Sequence, residues 1–163
     1  MRPSRHLALS IVAGSLVWAG TGEPWTLPVT VAAGVAVDLD HGPDLWWNLA
    51  LGHSPVAVFV LHAWEWLAGL LALGIETGFS WWLTAVVVGY GLHIITDHIN
   101  NKGRMWRYSI AYRAWHGFKV ARLAPQWDSN YTYSVLKREI PPAVILIEWW
   151  RRKARRDKEH KVS

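Results

Sequence analysis

At 163 residues the chain fits one domain and is short for two. It has no cysteine, which excludes disulfides and thiolate metal ligands, so any metal has to be held by His, Asp and Glu. The formal charge of +5 hides a segregation: all 17 Lys and Arg lie at Arg2 and Arg5 or from Lys102 onward, which leaves residues 6–101 with only acids and histidines as charged groups. The expected organisation is a single domain over 1–163, with an apolar core in 1–101 and a basic segment in 102–163.

In chain order the apolar runs are Leu7 to Ala19, Trp25 to Val37, Val56 to Ile75 and Phe79 to Ile95. About 20 apolar residues cross a bilayer, so the third run is long enough and the fourth nearly so, while the first two would have to tilt, extend or re-enter. The connectors "GTGEP" and "ETGFS" carry Glu and no cation. With four spans, the positive-inside rule then puts both termini in the cytoplasm, and the paired tryptophans Trp81–Trp82 and Trp149–Trp150 fit headgroup boundaries. These features predict an all-α, polytopic transmembrane helix bundle of about four spans in a bacterial-type inner membrane, followed by interfacial C-terminal helices. A cleaved signal peptide at "MRPSRHLALSIVAGSLVWAGTG" is the competing reading of the N-terminus, disfavoured because further apolar segments follow at once.

Beyond Lys102, Ala111, Ala114, Trp115, Phe118 and Ala121 recur at helical spacing with Arg113, Lys119 and Arg122 between them, which suits a helix on an anionic leaflet. Nucleic-acid binding is the rival explanation and ranks below membrane lipid, because the adjoining spans put this segment beside lipid. Pro141 and Pro142 would break a helix passing through them but can begin one, so "EIPPAVILIEWW" reads as an interfacial or packed helix. The tail "RRKARRDKEHKVS" is a solvated charge run with an attraction to acidic lipid.

Four short pieces carry the titratable groups of the apolar block. "VDLDHGPD" supplies Asp38, Asp40 and His41; "LGHSP" supplies His53; "LHAWEWL" supplies His62 and Glu65, three apart on one helix face; "GLHIITDH" supplies His93 and Asp97, four apart and therefore side by side. Separately, each has an ordinary structural explanation: acids at a helix end, a loop histidine, a hydrogen-bonded pair. Under the four-span topology all four pieces reach the same membrane face, which describes a polar cup open to the cytosol. An imidazole and carboxylate set without thiolate suits zinc first, with manganese or iron as alternatives, and one or two ions. Asp38, Asp40, His53, His62, His93 and Asp97 are the candidate ligands, His41 and Glu65 the candidate acid and base, and His98 and His116 outer residues. Lys102, Arg104 and Arg107 follow the site in sequence and are candidates for holding a substrate phosphate.

At these residues the chain resembles the membrane-bound metal-dependent hydrolase family of bacterial inner membranes, the LexA-binding group. That family reads P-D-x-D-H, then H-R-G-x-T-H-S, then H-x-x-x-D; here the counterparts are "VDLDH", "NLALGHS" and "HIITD", spanning about residues 30 to 103. Val37 stands in place of the proline, and Asn48 and Leu49 replace the histidine and arginine of the second motif. The resemblance carries over to Asp38, Asp40, His41, His53, His93 and Asp97. It implies a fold distantly similar to the all-helical zinc-dependent phospholipases C and single-strand nucleases, and hydrolysis of a phosphoester such as a phospholipid or lipid phosphate. The rival readings are a metal-ion or proton-coupled transporter, and a scaffold whose metal is structural; the sequence is silent on oligomeric state.

Overall fold

The computed structural model describes residues 3–50, 56–100, 105–124 and 129–159. Among them the chain is helical, with an antiparallel bridge joining Val56 to Lys119. In order come α1 (Pro3–Thr21), α2 (Thr26–Ala36), a 3₁₀ turn (Val37–Asp40), α3 (His41–Leu45), a π-helical turn (Trp46–Ala50), α4 (Trp64–Thr77), α5 (Trp81–Asn100), a second 3₁₀ turn (Met105–Tyr108), α6 (Ile110–Trp115), α7 (Val120–Leu123), α8 (Ser129–Glu139) and α9 (Pro141–Glu159).

The transmembrane expectation is corrected: no helix among the described residues is long and apolar enough to cross a membrane. The reasons are local. The run Val56 to Ile75 is divided, because residues 56–63 are not α-helical and α4 begins only at Trp64. At 14 residues α4 is about 21 Å long and α2, at 11, about 17 Å, against a hydrocarbon thickness of about 30 Å. At 19 and 20 residues α1 and α5 have the length, but Ser4, Arg5, His6, Ser10 and Ser15 dilute one and Thr84, His93, Thr96, Asp97 and His98 the other. The four-span topology, the inner-membrane placement and the cytoplasmic assignment of both termini lose their basis together. The amphipathic helix expected over residues 111–121 is also corrected. Gly117 and Phe118 take positive φ (63° and 56°), which ends α6 and starts a separate α7.

α1, α2 and α5 pack together, with α4 against α5. Their close approach depends on small residues. A Cβ on Gly34 would run into Ser10 Oγ, and one on Gly89 into the backbone carbonyl of Thr30. Along α5, Gly89, Tyr90, His93, Ile94 and Asp97 are buried, a spacing of three and four that presents one face inward. Val37, Tyr90 and Ile94 form a core with Trp64, Leu67 and Leu70 against it. A second cluster, Ala57, Val120 and Leu123, ties the 105–124 region to the 56–63 segment. The outer helix faces keep exposed apolar side chains, among them Leu16, Ile75 and Trp115.

Candidate metal centre

The parallel packing of α2 and α5, with Thr30 and Gly34 against Gly89 and Gly34 against His93, sets the end of α2 and the turn Val37–Asp40 beside the second half of α5. Asp38 and Asp40 come from the turn, His93 and Asp97 from α5, and His62 from the irregular segment before α4. That segment is fastened from several elements. Asp40 Oδ2 accepts from the backbone N–H of Leu61 (2.6 Å) and His62 (3.1 Å). The Tyr90 hydroxyl contacts the carbonyls of Leu61 (2.5 Å) and Ala63 (2.7 Å) and accepts from Ala63 N–H (3.2 Å). Trp66 Nε1 donates to Val60 O at 2.9 Å. Phe59 sits at φ 36°, a conformation that costs a non-glycine residue about 1–3 kcal/mol and persists only where the surroundings over-determine it.

The tautomers of His62 and His93 follow from their partners. His93 Nδ1 lies 2.7 Å from Gly34 O, and a carbonyl only accepts, so Nδ1 carries the hydrogen. His62 Nδ1 lies 2.8 Å from Asp40 Oδ1 and donates to it for the same reason. In the neutral rings both Nε2 atoms are then lone pairs, and they face each other at 3.0 Å. Two acceptors at that distance repel unless an electrophile lies between them. Asp38 Oδ1 is 3.6 Å from His93 Nε2 and 3.8 Å from His62 Nε2, and Asp97 Oδ2 is 3.9 and 3.7 Å from the same two atoms. Donors around one tetrahedral ion with bonds of about 2.1 Å stand roughly 3.4 Å apart, so each carboxylate oxygen lies near ligand spacing from the two imidazole nitrogens. Asp38 Oδ2 is buried and has no hydrogen-bond partner among the described residues, consistent with a carboxylate set aside for a cation.

Burial holds the Asp38 carboxyl above the ordinary range. Burial is the largest influence on Asp97 and opposes its ionisation, but the hydrogen bond from His6 and the neighbouring positive charges together outweigh it and hold this carboxyl well below the ordinary range.

His6, at the start of α1, is the member that the sequence did not disclose. Its Nε2 donates to Asp97 Oδ1 at 3.0 Å and its ring stacks on His93 with centroids 3.8 Å apart. Three overlapping groups could hold a metal ion: His6, Asp38 and His93; Asp38, His41 and His62; and His62, His93 and Asp97. Asp40 is not a member; it orients His62 from behind, as outer carboxylates do for ligating histidines. His41 stands at the open side, its ring 34% exposed, with Nε2 3.6 Å from Asp38 Oδ1 and Phe59 edge-on at 4.4 Å.

Other expected residues lie elsewhere. Glu65 is exposed and turned away from the cluster, its Oε1 accepting from Ser109 Oγ (2.6 Å) and Ala111 N–H (3.4 Å), because the first turn of α4 points it at the start of α6. The acid–base role expected for Glu65 is therefore corrected to a tie between two helices. His98 contacts Trp64 and Tyr108, and His116 contacts Tyr112. His53, Lys102 and Arg104 lie outside the described residues, while Arg107 is half-buried in the turn before α6. No family model, curated protein or solved structure matches this chain, so the resemblance in the three motifs stands on those residues alone.

The metal-free protein should lose stability in acid. Burial pushes the His93 imidazole from its ordinary 6.5 down to about 3. Between those values the unfolded chain binds a proton that the folded chain refuses, so stability falls as pH is lowered through this window, by up to about 1.4 kcal/mol per unit. The depressed Asp97 acts in the same direction below its ordinary 3.8. Urea midpoints measured in chelator at pH 7, 5 and 4 should decrease in that order; a flat profile would mean that His93 is not held neutral.

Proposed function

We propose that the cluster is a mononuclear divalent-metal centre and that the protein is a metal-dependent hydrolase of phosphoesters. The observation that carries this reading is the pair of imidazole lone pairs converging at 3.0 Å, with a carboxylate oxygen 3.6–3.9 Å from each nitrogen on either side. Two nitrogens and two oxygens without thiolate suit zinc, with manganese or iron as alternatives. Such an ion supplies Lewis acidity and makes water acidic enough to act as a nucleophile near neutral pH.

The chain's own residues account for the rest. Asp40 and Gly34 O fix the two imidazoles, and His6 fixes Asp97. His41 is assigned to proton transfer, because its Nε2 lies beside Asp38 on the exposed side, where a substrate oxygen can reach it. The rim beside it is apolar: Leu39, between two site residues, is 72% exposed, and Val60 and Leu61 are exposed next to His62. That rim favours a phosphoester with an apolar substituent, such as a lipid phosphate. The resemblance to metal-dependent hydrolases points to the same chemistry. The transporter reading lacks helices that cross a membrane among the described residues.

The test is hydrolysis of short-chain and long-chain phosphate esters by zinc-loaded protein. His41→Ala should retain the metal and lose about 10²- to 10⁴-fold in rate, the usual worth of a general acid or base. A metal-loaded wild type that cleaves none of these esters would leave the ion with a structural role.

A further inference from the structure

Arg113 looks, in sequence, like one of several cations on a surface helix. In the structure it is 1% exposed, and a fully buried arginine requires partners that absorb its donors. Two of those partners lie on one segment: Nη1 donates to Phe59 O at 2.8 Å and Nη2 to His62 O at 3.0 Å. The planar guanidinium thus spans the stretch from the positive-φ residue to the histidine itself. α6, which carries Arg113, is held in turn by Ser109, whose Oγ accepts from Tyr112 N–H, and by the Ala57 N–H to Phe118 O hydrogen bond at 2.8 Å. The 105–124 region thereby becomes part of the site's frame.

We propose that Arg113 is a positioning residue that sets the aim of His62 Nε2, and with it the metal affinity of the centre. The inference rests on the metal reading above. Asp40 fixes the His62 ring from its Nδ1 side and Arg113 fixes the backbone that carries it, so the ring is held at both ends. Lysine cannot replace the fork, because one ammonium on a flexible stem does not address two carbonyls with fixed geometry.

The experiment is a Co²⁺ titration followed by absorbance, on wild type, Arg113→Lys, His62→Ala and the double variant. Arg113→Lys should weaken Co²⁺ binding by about 10- to 100-fold, as outer-shell changes do, and alter the visible bands that report coordination geometry. In the His62→Ala background the same change should have little further effect. Equal losses in both backgrounds, or no loss in the wild-type background, would overturn the proposal while leaving the metal centre standing. A wild type that fails to bind Co²⁺ would overturn both. Should Arg113→Lys not fold, the coupling is read in the wild-type chain: Zn²⁺ must shift the Arg113 Nε resonance, and an unmoved signal rejects the role.

Discussion

His93→Ala should weaken divalent-metal binding by more than about 100-fold, beyond the 10- to 100-fold typical of outer-shell changes, because it removes one of the two converging lone pairs. Asp97→Asn should also be severe, since Asp97 Oδ2 lies 3.7 and 3.9 Å from the two imidazole nitrogens and its Oδ1 takes the His6 hydrogen bond. The informative quantity is the coupling. His93 and Asp97 are four residues apart on one face of α5, and two ligands of one ion act as a unit. Once His93 is gone, Asp97→Asn should add much less than it takes from the wild type. A double-mutant cycle on metal affinity measures this, and additive losses would assign the two residues to separate purposes.

Gly89→Ala should destabilise the fold by about 1–3 kcal/mol, the usual range for overpacking, and lower the melting temperature by roughly 3–10 °C. Its Cβ would collide with the backbone carbonyl of Thr30, which has no rotamer to yield, so α2 and α5 must separate. That separation draws Gly34 O, on α2, away from His93 Nδ1, on α5, and metal affinity should fall with stability. Gly69→Ala is the control. Nothing lies within 4 Å of the added methyl in the middle of α4, so helix propensity alone should leave it neutral or up to about 1 kcal/mol more stable. Equal melting temperatures for Gly89→Ala and wild type would show that the helices do not need this contact.

Some of the candidate site is legible in the sequence because short-range spacing encodes it. His93 and Asp97 share a helix face, and Asp38, Asp40 and His41 fall where an apolar run ends. The route by which they were expected to meet, a common membrane face, is replaced by the packing of α2 on α5 through Gly34 and Gly89. Hydropathy fails at Val56 to Ile75 because it measures apolarity and not backbone conformation: Phe59 at positive φ and the extended Ala63 interrupt a run that reads as continuous. His6 was hidden for a different reason. Its partner Asp97 is 91 residues away, and a single histidine at a helix start has no local spacing to reveal the contact. Arg113 reads as a surface cation because helical periodicity gives its face but not what covers that face; the segment before α4, through Phe59 O and His62 O, does.

Isothermal titration of the chelator-treated protein with Zn²⁺ measures whether the proposed centre at His62, His93, Asp38 and Asp97 takes up a metal ion. One equivalent should bind per chain, with proton release from any ligand still protonated. His62→Ala and His93→Ala should each weaken that binding by more than about 100-fold, while Glu65→Gln should leave it unchanged. Absence of Zn²⁺ binding by the folded wild type, or full binding by His93→Ala, would mean that the cluster is not a metal centre.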